Sequence, residues 1–340
     1  MGLTGKNFLT MKNTCFVLLT TLILLSGCGG TKLFGVKFAI ASDDEDLSVL
    51  SQVTNNDEPC IDPHGGNNGK NLFFAARENK KYYNIYKKEN PFSSAMSQMT
   101  SGKNFNCEPA YNATTDRIAF HCQNEGNTTS DIYTIKATKG KAQTQIAETT
   151  NAFEGNPCFS KDGKYIVYDK RSYDIVKTVS HSGINSSLHL IEKSEIWLKN
   201  LETGESILLG NGYQPSFSPG DKKIAYVKFS ADAQSCSIWI MDMDGGNASQ
   251  ITDAKKGYAY YPRWSPDGKR LVYQAASVER KKKDSDIYII DIDGNNPVQL
   301  TKNKSFDGTP YWTTDGYIYF VSDRGNKAGN YQIWRFKITD

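Results

Sequence analysis

The chain has 340 residues, a formal net charge of +3 and 38% hydrophobic residues. This length allows one large core or two ordinary domains, and the nearly balanced charge excludes the concentrated basic surface of a nucleic-acid-binding protein. The 19 Tyr, 16 Phe and 28 Gly residues favour short strands that pack through aromatic side chains and are joined by tight turns. We therefore expect an all-β protein.

The first segment has the layout of an export signal. Lys12 precedes an apolar stretch from Cys15 to Leu25, which has 11 residues, whereas a membrane-spanning helix needs about 20. A short apolar stretch behind a positive charge is typical of a cleaved signal peptide. We expect residues 1–27 to be removed, and the proportions of the segment favour Met11 as the true start of translation.

The end of this segment resembles the lipobox of bacterial lipoproteins, because small residues stand directly before a cysteine in Ser26-Gly27-Cys28. The resemblance implies cleavage between Gly27 and Cys28 and attachment of fatty acids such as palmitate to Cys28. Gly29 stands where an Asp would retain the protein in the inner membrane, so the resemblance implies an outer-membrane lipoprotein that faces the periplasm. A cleaved signal followed by a chance cysteine is the alternative. Residues 28–46 would form a linker.

The remainder of the chain, residues 47–340, contains six similar units. Each unit has a proline, a turn rich in Asp and Gly, an apolar strand and an Ile–aromatic pair, and most units end in a Gln-X-Thr element. The prolines are Pro59, Pro109, Pro157, Pro215, Pro262 and Pro310. The pairs begin at Ile85, Ile132, Ile196, Ile238, Ile287 and Ile333. The third unit carries an insertion at about 171–194.

Six units of four short strands predict a six-bladed β-propeller with four-stranded antiparallel blades. A pair of β-sandwiches would not require the same motif six times. The last unit lacks a Gln-X-Thr strand, while Gln52-Val53-Thr54 supplies that pattern before the first unit. We expect this N-terminal strand to complete the last blade and close the ring, which also removes exposed strand edges.

Two cysteines of the second unit are candidates for a disulfide. Equal counting outward from a turn at Thr114 and Thr115 places Cys107 opposite Cys122, and an oxidising periplasm permits such a bond. Two buried free thiols are the alternative. Cys60, Cys158 and Cys236 are read as packing residues because no metal-binding Cys spacing is present.

The fifth unit resembles the repeat of the TolB propeller family. The similarity rests on Pro262-Arg-Trp-Ser-Pro-Asp-Gly-Lys269, followed by Leu271-Val272-Tyr273 and Gln299-Leu300-Thr301. It implies an envelope protein that contacts other envelope proteins, such as the peptidoglycan-associated lipoprotein. The chain departs from that family because it is lipidated and lacks the α/β domain that precedes the TolB propeller, so we expect a TolB-like propeller rather than TolB itself.

Catalytic chemistry is not evident in the sequence. Peptidases that share this type of propeller need an additional α/β-hydrolase domain, and four scattered histidines provide no metal cluster. We expect a monomeric protein-interaction or scaffold module of the envelope, with no catalytic residues, cofactor or metal, and no nucleic-acid partner. Carbohydrate or cell-wall-fragment binding, with or without lyase activity, and adhesion at the cell surface are the alternatives.

The expected binding face follows from connectivity, because the segments before the prolines emerge on one side of a propeller. Acidic and aromatic side chains in these segments suit protein or glycan contacts. The candidates are Glu58, Glu108, Glu154, Tyr258, Tyr260, Tyr261 and Asp307. Alternatively, the acids before the prolines cap backbone amides at the mouth of the channel.

Overall fold

A computed structural model describes residues 50–340, apart from 67–68, 139–141, 148, 150, 182–183, 232–233, 254, 256, 277–284, 327–328 and 339–340. The side chains of residues 173–192 are also outside the description. The predicted signal peptide, the cleavage site at Gly27, the lipidation site Cys28 and the linker lie outside the described residues. Within the described part, no helix is long and apolar enough to cross a membrane.

The prediction of an all-β protein is confirmed. The described strands form six consecutive groups of four antiparallel strands. The first group is β2 (Cys60–Gly65), β3 (Leu72–Glu78), β4 (Tyr82–Lys88) and β5 (Ser97–Gln98). The second is β6 (Asn104–Asn112), β7 (Arg117–Asn124), β8 (Asp131–Lys136) and β9 (Thr144–Ala147). The third is β10 (Ala152–Phe159), β11 (Tyr165–His181), β12 (Ile184–Asn200) and β13 (Ser206–Asn211).

The remaining groups follow the same order along the chain. The fourth is β14 (Tyr213–Phe217), β15 (Lys223–Phe229), β16 (Cys236–Asp242) and β17 (Ser249–Gln250). The fifth is β18 (Tyr258–Trp264), β19 (Arg270–Ala276), β20 (Ser285–Asp291) and β21 (Val298–Gln299). The sixth is β22 (Asp307–Trp312), β23 (Tyr317–Ser322), β24 (Gln332–Lys337) and, from the other end of the chain, β1 (Ser51–Gln52).

The Gln-X-Thr element and the Ile–aromatic pair occur together because they bond to each other. The N–H of Ile85, Ile238 and Ile287 donates to Oγ1 of a threonine at 2.8–2.9 Å. Ile333 makes the same bond, at 2.9 Å, to Thr54 of the N-terminal segment. Gln52 pairs with Trp334 as Gln98 pairs with Tyr86. The N-terminal strand therefore occupies the position of a fourth strand in the sixth group.

Neighbouring groups are held together in the same way throughout. Parallel bridges such as Tyr83 to Phe105 and Cys236 to Tyr258 link the third strand of one group to the first strand of the next. The N–H of Cys60 donates to the carbonyl of Tyr331 at 2.8 Å, so the last group is bonded to the first group at the equivalent place. β22 also contacts β2, as β2 contacts β6.

The hydrophobic core is divided into layers between neighbouring groups. One layer joins Leu72 and Phe74 of the first group to Tyr319 and Ile333 of the sixth, and Val53 of the N-terminal segment belongs to it. Equivalent clusters lie between each other pair of neighbours. The alternation of buried positions along each strand supplies two apolar faces per sheet, and each face is covered by the next group.

The insertion in the third unit lengthens two strands that face each other. β11 and β12 have 17 residues each, and their pairing runs from Tyr165 with Asn200 to His181 with Ile184. At about 3.3 Å per residue this hairpin is roughly 55 Å long. It therefore extends well beyond the strands of the other groups, which have two to nine residues.

A repeated backbone distortion identifies the equivalent prolines. The residue before the proline has a φ between 43° and 55° in every unit, and the ladder between the first and second strands shifts register there. Such a shift is a β-bulge. In the first unit the bulge lies at Asp62, so the equivalent proline is Pro63 and the assignment of Pro59 to this position was wrong. The first unit is hard to align because Gly65 stands two residues after Pro63, where the other five units have an aromatic residue.

Candidate ligand cavity

A cavity of about 490 Å³ lies among the first strands of the six groups. Every one of β2, β6, β10, β14, β18 and β22 contributes to its lining. We call it the central cavity. Because successive side chains of a strand point to opposite sides, the bulge and the residues after it decide which side chains reach this space.

Two sets of side chains, one on each side of the prolines, belong to this region. The pre-proline ring consists of the residues with left-handed backbone conformation: Asp62, Glu108, Asn156, Gln214, Tyr261 and Thr309. The post-proline ring consists of the residues that directly follow the prolines: His64, Ala110, Cys158, Ser216, Arg263 and Tyr311. All of these residues except Gln214 and Ala110 line the central cavity.

The pre-proline ring is built from strained but well-bonded residues. A positive φ at a residue other than glycine costs on the order of 1–3 kcal/mol. In five units the N–H at the bulge donates to a side chain that comes from the preceding group. These hydrogen bonds are 2.6–3.3 Å long and run from Glu108 to Asp62, from Asn156 to Glu108, from Gln214 to Asp169, from Tyr261 to Gln214 and from Thr309 to Gln274. Because the arrangement repeats, it belongs to the architecture of the fold.

Glu108 illustrates this structural role. Its Oε2 accepts from Nδ1 of His121 at 2.8 Å and from the N–H of Asn156 at 2.6 Å. Burial of Glu108 opposes ionisation, but the charges of His121 and Arg171 outweigh it and lower the pKa of Glu108 to about 2. For this residue, capping of a backbone amide at the channel is the correct interpretation.

A second buried carboxylate completes the network. Asp169 is fully buried and accepts from Nε of Arg171, from Nδ2 of Asn156 and from the N–H of Gln214, each at 2.8 Å. Burial raises the pKa of Asp169, and the Arg171 guanidinium opposes that effect. Arg171 also lies over the ring of Phe153, at 4.5 Å. The second, third and fourth groups are thus connected by a single set of charge-assisted hydrogen bonds.

The post-proline ring has a different character. Arg263 lines the cavity, and its Nη1 donates to the carbonyl of Pro262 at 3.0 Å. His64 stacks on Tyr311 with ring centroids 4.2 Å apart. Burial, with the nearby Arg263 charge, lowers the pKa of His64 to about 3, so its ring is neutral at physiological pH. Burial also raises the pKa of Cys158, so this thiol stays protonated.

The predicted binding face is mostly interior. Glu154, Tyr258, Tyr260, Tyr261 and Asp307 are buried, with at most 8% of each residue exposed. Asp307 pairs with Nη2 of Arg324 at 2.5 Å, and the partly buried Glu58 pairs with Nε of Arg77 at 2.7 Å. The expectation that these side chains are exposed was therefore wrong, because the chain before each proline is already inside a strand.

Glu154 has an unusual environment among these residues. Only 1% of it is exposed, and its Oε2 has no hydrogen-bond partner among the described residues. Burial and the neighbouring charge of Asp131 raise the pKa of Glu154 to about 7. Unlike Glu108 and Tyr261, Glu154 does not line the central cavity.

No disulfide joins the two second-unit cysteines to each other among the described residues. Cys107 pairs with His121, and Cys122 pairs with Asn106. Near the turn the pairing agrees with equal counting, as shown by Ala110 and Ala119. The bulge at Glu108 adds one residue to β6 and shifts the ladder by one position. Equal counting had placed the two cysteines opposite each other, and because of this shift they are not.

Comparison with known proteins finds similarity to one family model and to several solved structures. Residues 201–340 match the model of the TolB beta propeller domain. The structure resembles that of TolB from Acinetobacter baumannii, with a TM-score of 0.59 and 18% identity over 81% of this chain and 65% of that protein. The chain is similar in fold to the TolB propeller. At such low identity the solved structure supports the fold only.

Other proteins similar to this TolB-like propeller differ in their roles. The uncharacterized protein Atu1656 of Agrobacterium fabrum is 27% identical over 209 residues, 61% of each chain. The uncharacterized peptidase YuxL of Bacillus subtilis is 28% identical over 37% of this chain, but the match spans 19% of the peptidase. An oligogalacturonate lyase solved with manganese has a TM-score of 0.57 and 14% identity over 88% of this chain and 96% of the lyase.

The described residues contain no group of three or more His, Cys, Asp or Glu side chains that could hold a metal ion. Since enzymes and non-enzymes both share this fold, the fold does not decide between catalysis and binding. The residues that sequence reasoning missed are those of the post-proline ring, above all His64 and Arg263. Their position after the bulge proline is the signal that could have identified them.

Proposed function

We propose that this protein is a non-catalytic binding module: a six-bladed, closed propeller that is lipid-anchored through Cys28 and faces the periplasm from the outer membrane. Its partners are envelope proteins, and the peptidoglycan-associated lipoprotein is the first to test. The observation that carries the binding role is the central cavity, which has both polar and aromatic walls and receives residues from all six groups. The TolB-like fold supports the choice of compartment.

Two parts of this proposal come from the sequence. The anchor rests on the lipobox-like Ser26-Gly27-Cys28, and Cys28→Ser is expected to abolish fatty-acid labelling and release the protein from membranes. Closure of the ring rests on β1, whose loss is expected to expose the edge of β24. A chain that begins at residue 50 should melt well above a chain that begins at residue 56. Equal melting temperatures would contradict closure by the N-terminal strand.

Partner binding at the cavity mouth is testable in the native envelope. Photo-crosslinking residues would replace Ala113 and Pro266, which are exposed at the cavity lining. Matched controls would replace Ile207 and Val298, which are 50% and 47% exposed on outer strands. We expect one envelope protein to be captured from the mouth positions and not from the controls. Equal capture from both sets, or capture from the controls alone, would contradict a binding role for the cavity.

A carbohydrate-binding or lyase function is the second candidate. It is favoured by the fold similarity to an oligogalacturonate lyase and by the arginine inside the cavity. Release of unsaturated sugar products by the purified protein would support the lyase function. Adhesion at the cell surface is a third role for a lipoprotein of this kind, and protease accessibility on intact cells separates it from a periplasmic role.

A further inference from the structure

Arg263 differs from four other buried or partly buried arginines among the described residues. Arg77, Arg171 and Arg324 each pair with a carboxylate. Arg335 donates to the Tyr319 hydroxyl at 2.8 Å and lies against aromatic rings. Arg263, by contrast, has no carboxylate within ion-pairing distance in the part of the chain that the structure describes, and its hydrogen bond goes to the adjacent Pro262.

The neighbours of Arg263 in the post-proline ring carry no negative charge. The post-proline ring offers a neutral His64, a protonated Cys158, the Ser216 hydroxyl and the Tyr311 ring. A guanidinium enclosed without a counter-ion loses hydration and gains no ion pair, which is unfavourable. An anion that enters the cavity beside the guanidinium offsets this cost, because a guanidinium can donate two parallel hydrogen bonds to a carboxylate.

Two further polar atoms at the cavity lack partners. Oδ1 of Asn156 and Oγ1 of Thr309 are buried and make no hydrogen bond to any residue that the structure describes, and both residues line the cavity. Asn156 is 3% exposed, and its Nδ2 is held by Asp169 at 2.8 Å, which fixes its orientation. Buried polar atoms are normally hydrogen-bonded.

The charge around the cavity favours a ligand with one negative charge over a ligand with two. Asp62 and Glu108 in the pre-proline ring and Asp221 elsewhere in the lining all repel anions, whereas Arg263 and Lys161 attract them. A dianionic phosphate would therefore meet more repulsion than a carboxylate. The volume of about 490 Å³ lies within the range of small-molecule pockets.

We propose that the central cavity binds the carboxylate of a small monoanionic ligand, with Arg263 as its counter-ion and the His64–Tyr311 pair as the wall on which the ligand packs. This inference rests on the proposed binding role and adds the ligand class to it. Two sources carry the required chemistry: a sugar acid and the carboxyl end of a short peptide.

The test is calorimetric titration of the mature protein with glucuronate, with N-acetyl-alanyl-alanine and with inorganic phosphate. We expect saturable binding of one of the two carboxylates to the wild type and at least 10-fold weaker binding to Arg263→Gln, with partial recovery in Arg263→Lys. Arg77→Gln removes the same charge outside the cavity and should bind as the wild type does. The carboxylate that binds identifies the source.

Three results would overturn the inference: no binding of either carboxylate, unchanged binding by Arg263→Gln, or binding of phosphate at least as tight as that of the carboxylates. Arg263→Gln should fold, because no ion pair is lost, and its ligand-free melting temperature should equal or exceed that of the wild type. A decrease of more than a few degrees would indicate a structural role and would also contradict the inference. Partner capture at the cavity mouth does not depend on Arg263, so the two proposals can fail separately.

Discussion

The pre-proline and post-proline rings lie on the same six strands and are separated by a single proline in each strand. Their chemistry nevertheless differs. In the pre-proline ring the backbone is strained, but five of its N–H groups are bonded to side chains of the preceding group. In the post-proline ring the backbone is ordinary, but Arg263 has no counter-ion among the described residues. The first ring holds the groups together, and the second is available to a ligand.

The comparison predicts that removal of Asp169 has the largest effect of the changes considered. Asp169→Ala would leave the Arg171 guanidinium, the Asn156 amide and the Gln214 N–H without their acceptor. Breaking a buried charge pair from one side costs about 3–5 kcal/mol, so the free energy of unfolding should fall by that amount. Chemical denaturation measures it, and the exposed turn variant Asp293→Ala should behave as the wild type. A loss below about 1 kcal/mol would mean that the network does not hold the ring together.

A smaller effect, with a defined pH dependence, is expected for Glu108. Its pKa is about 2 in the folded protein, and an unfolded Glu titrates near 4.3. The folded state therefore binds fewer protons between these values, so the stability from this carboxylate is present above about pH 4.3 and is lost as the pH falls towards 2. Glu108→Gln should be less stable than the wild type at pH 6, and the difference should shrink below pH 4. A difference that stays constant with pH would contradict the pairing with His121.

The effect of Glu154 has the opposite sign. Its pKa is about 7 in the folded protein, so between about pH 4.3 and 7 the folded state binds more protons than the unfolded state. Stability should fall as the pH rises through this window, by at most about 1.4 kcal/mol per pH unit. Glu154→Gln removes this slope. Thermal melts of both proteins at pH 5 and pH 7 measure it, and parallel changes in the two would show that Glu154 is ionised throughout.

The all-β class and the repeated units could be predicted from the sequence, whereas the site could not, for a physical reason. Strand repeats, Ile–aromatic pairs and the Gln-X-Thr element are local signals, and the structure shows that the last two are bonding partners. The position of a bulge is set by how two strands pair, and one misplaced proline changes which residues face the cavity. In the first unit Gly65 stands in place of the aromatic residue, so the bulge there was not recognised from the sequence. A Cβ at position 65 would lie 2.9 Å from Cε1 of Tyr311, so the aromatic residue typical of the repeat cannot occupy this position.

Relief of backbone strain at Thr309 should have a modest stabilising effect. Thr309 is β-branched and has a φ of 43°, a conformation that asparagine tolerates better than a branched residue does. Thr309→Asn should raise the free energy of unfolding by roughly 1 kcal/mol. Thr252→Asn is the matched control, since Thr252 accepts from Ile238 at 2.8 Å and its replacement should be destabilising. If both variants lose stability, the backbone at Thr309 is not a source of strain.

The smallest effect on stability is expected when the protein is treated with a reducing agent, because no disulfide should join Cys107 to Cys122. A disulfide needs Cβ atoms about 3.5–4.5 Å apart in a suitable orientation, whereas the bulge at Glu108 moves these cysteines one position out of register. Burial, with the charge of Asp131, also raises the pKa of Cys122 to about 11, so its thiol is protonated and unreactive at neutral pH. Non-reducing peptide mapping should recover both cysteines as free thiols that are alkylated only after unfolding. A crosslinked peptide would mean that β6 and β7 pair without the shift, and the pre-proline ring would then lose its defining bulge in this unit.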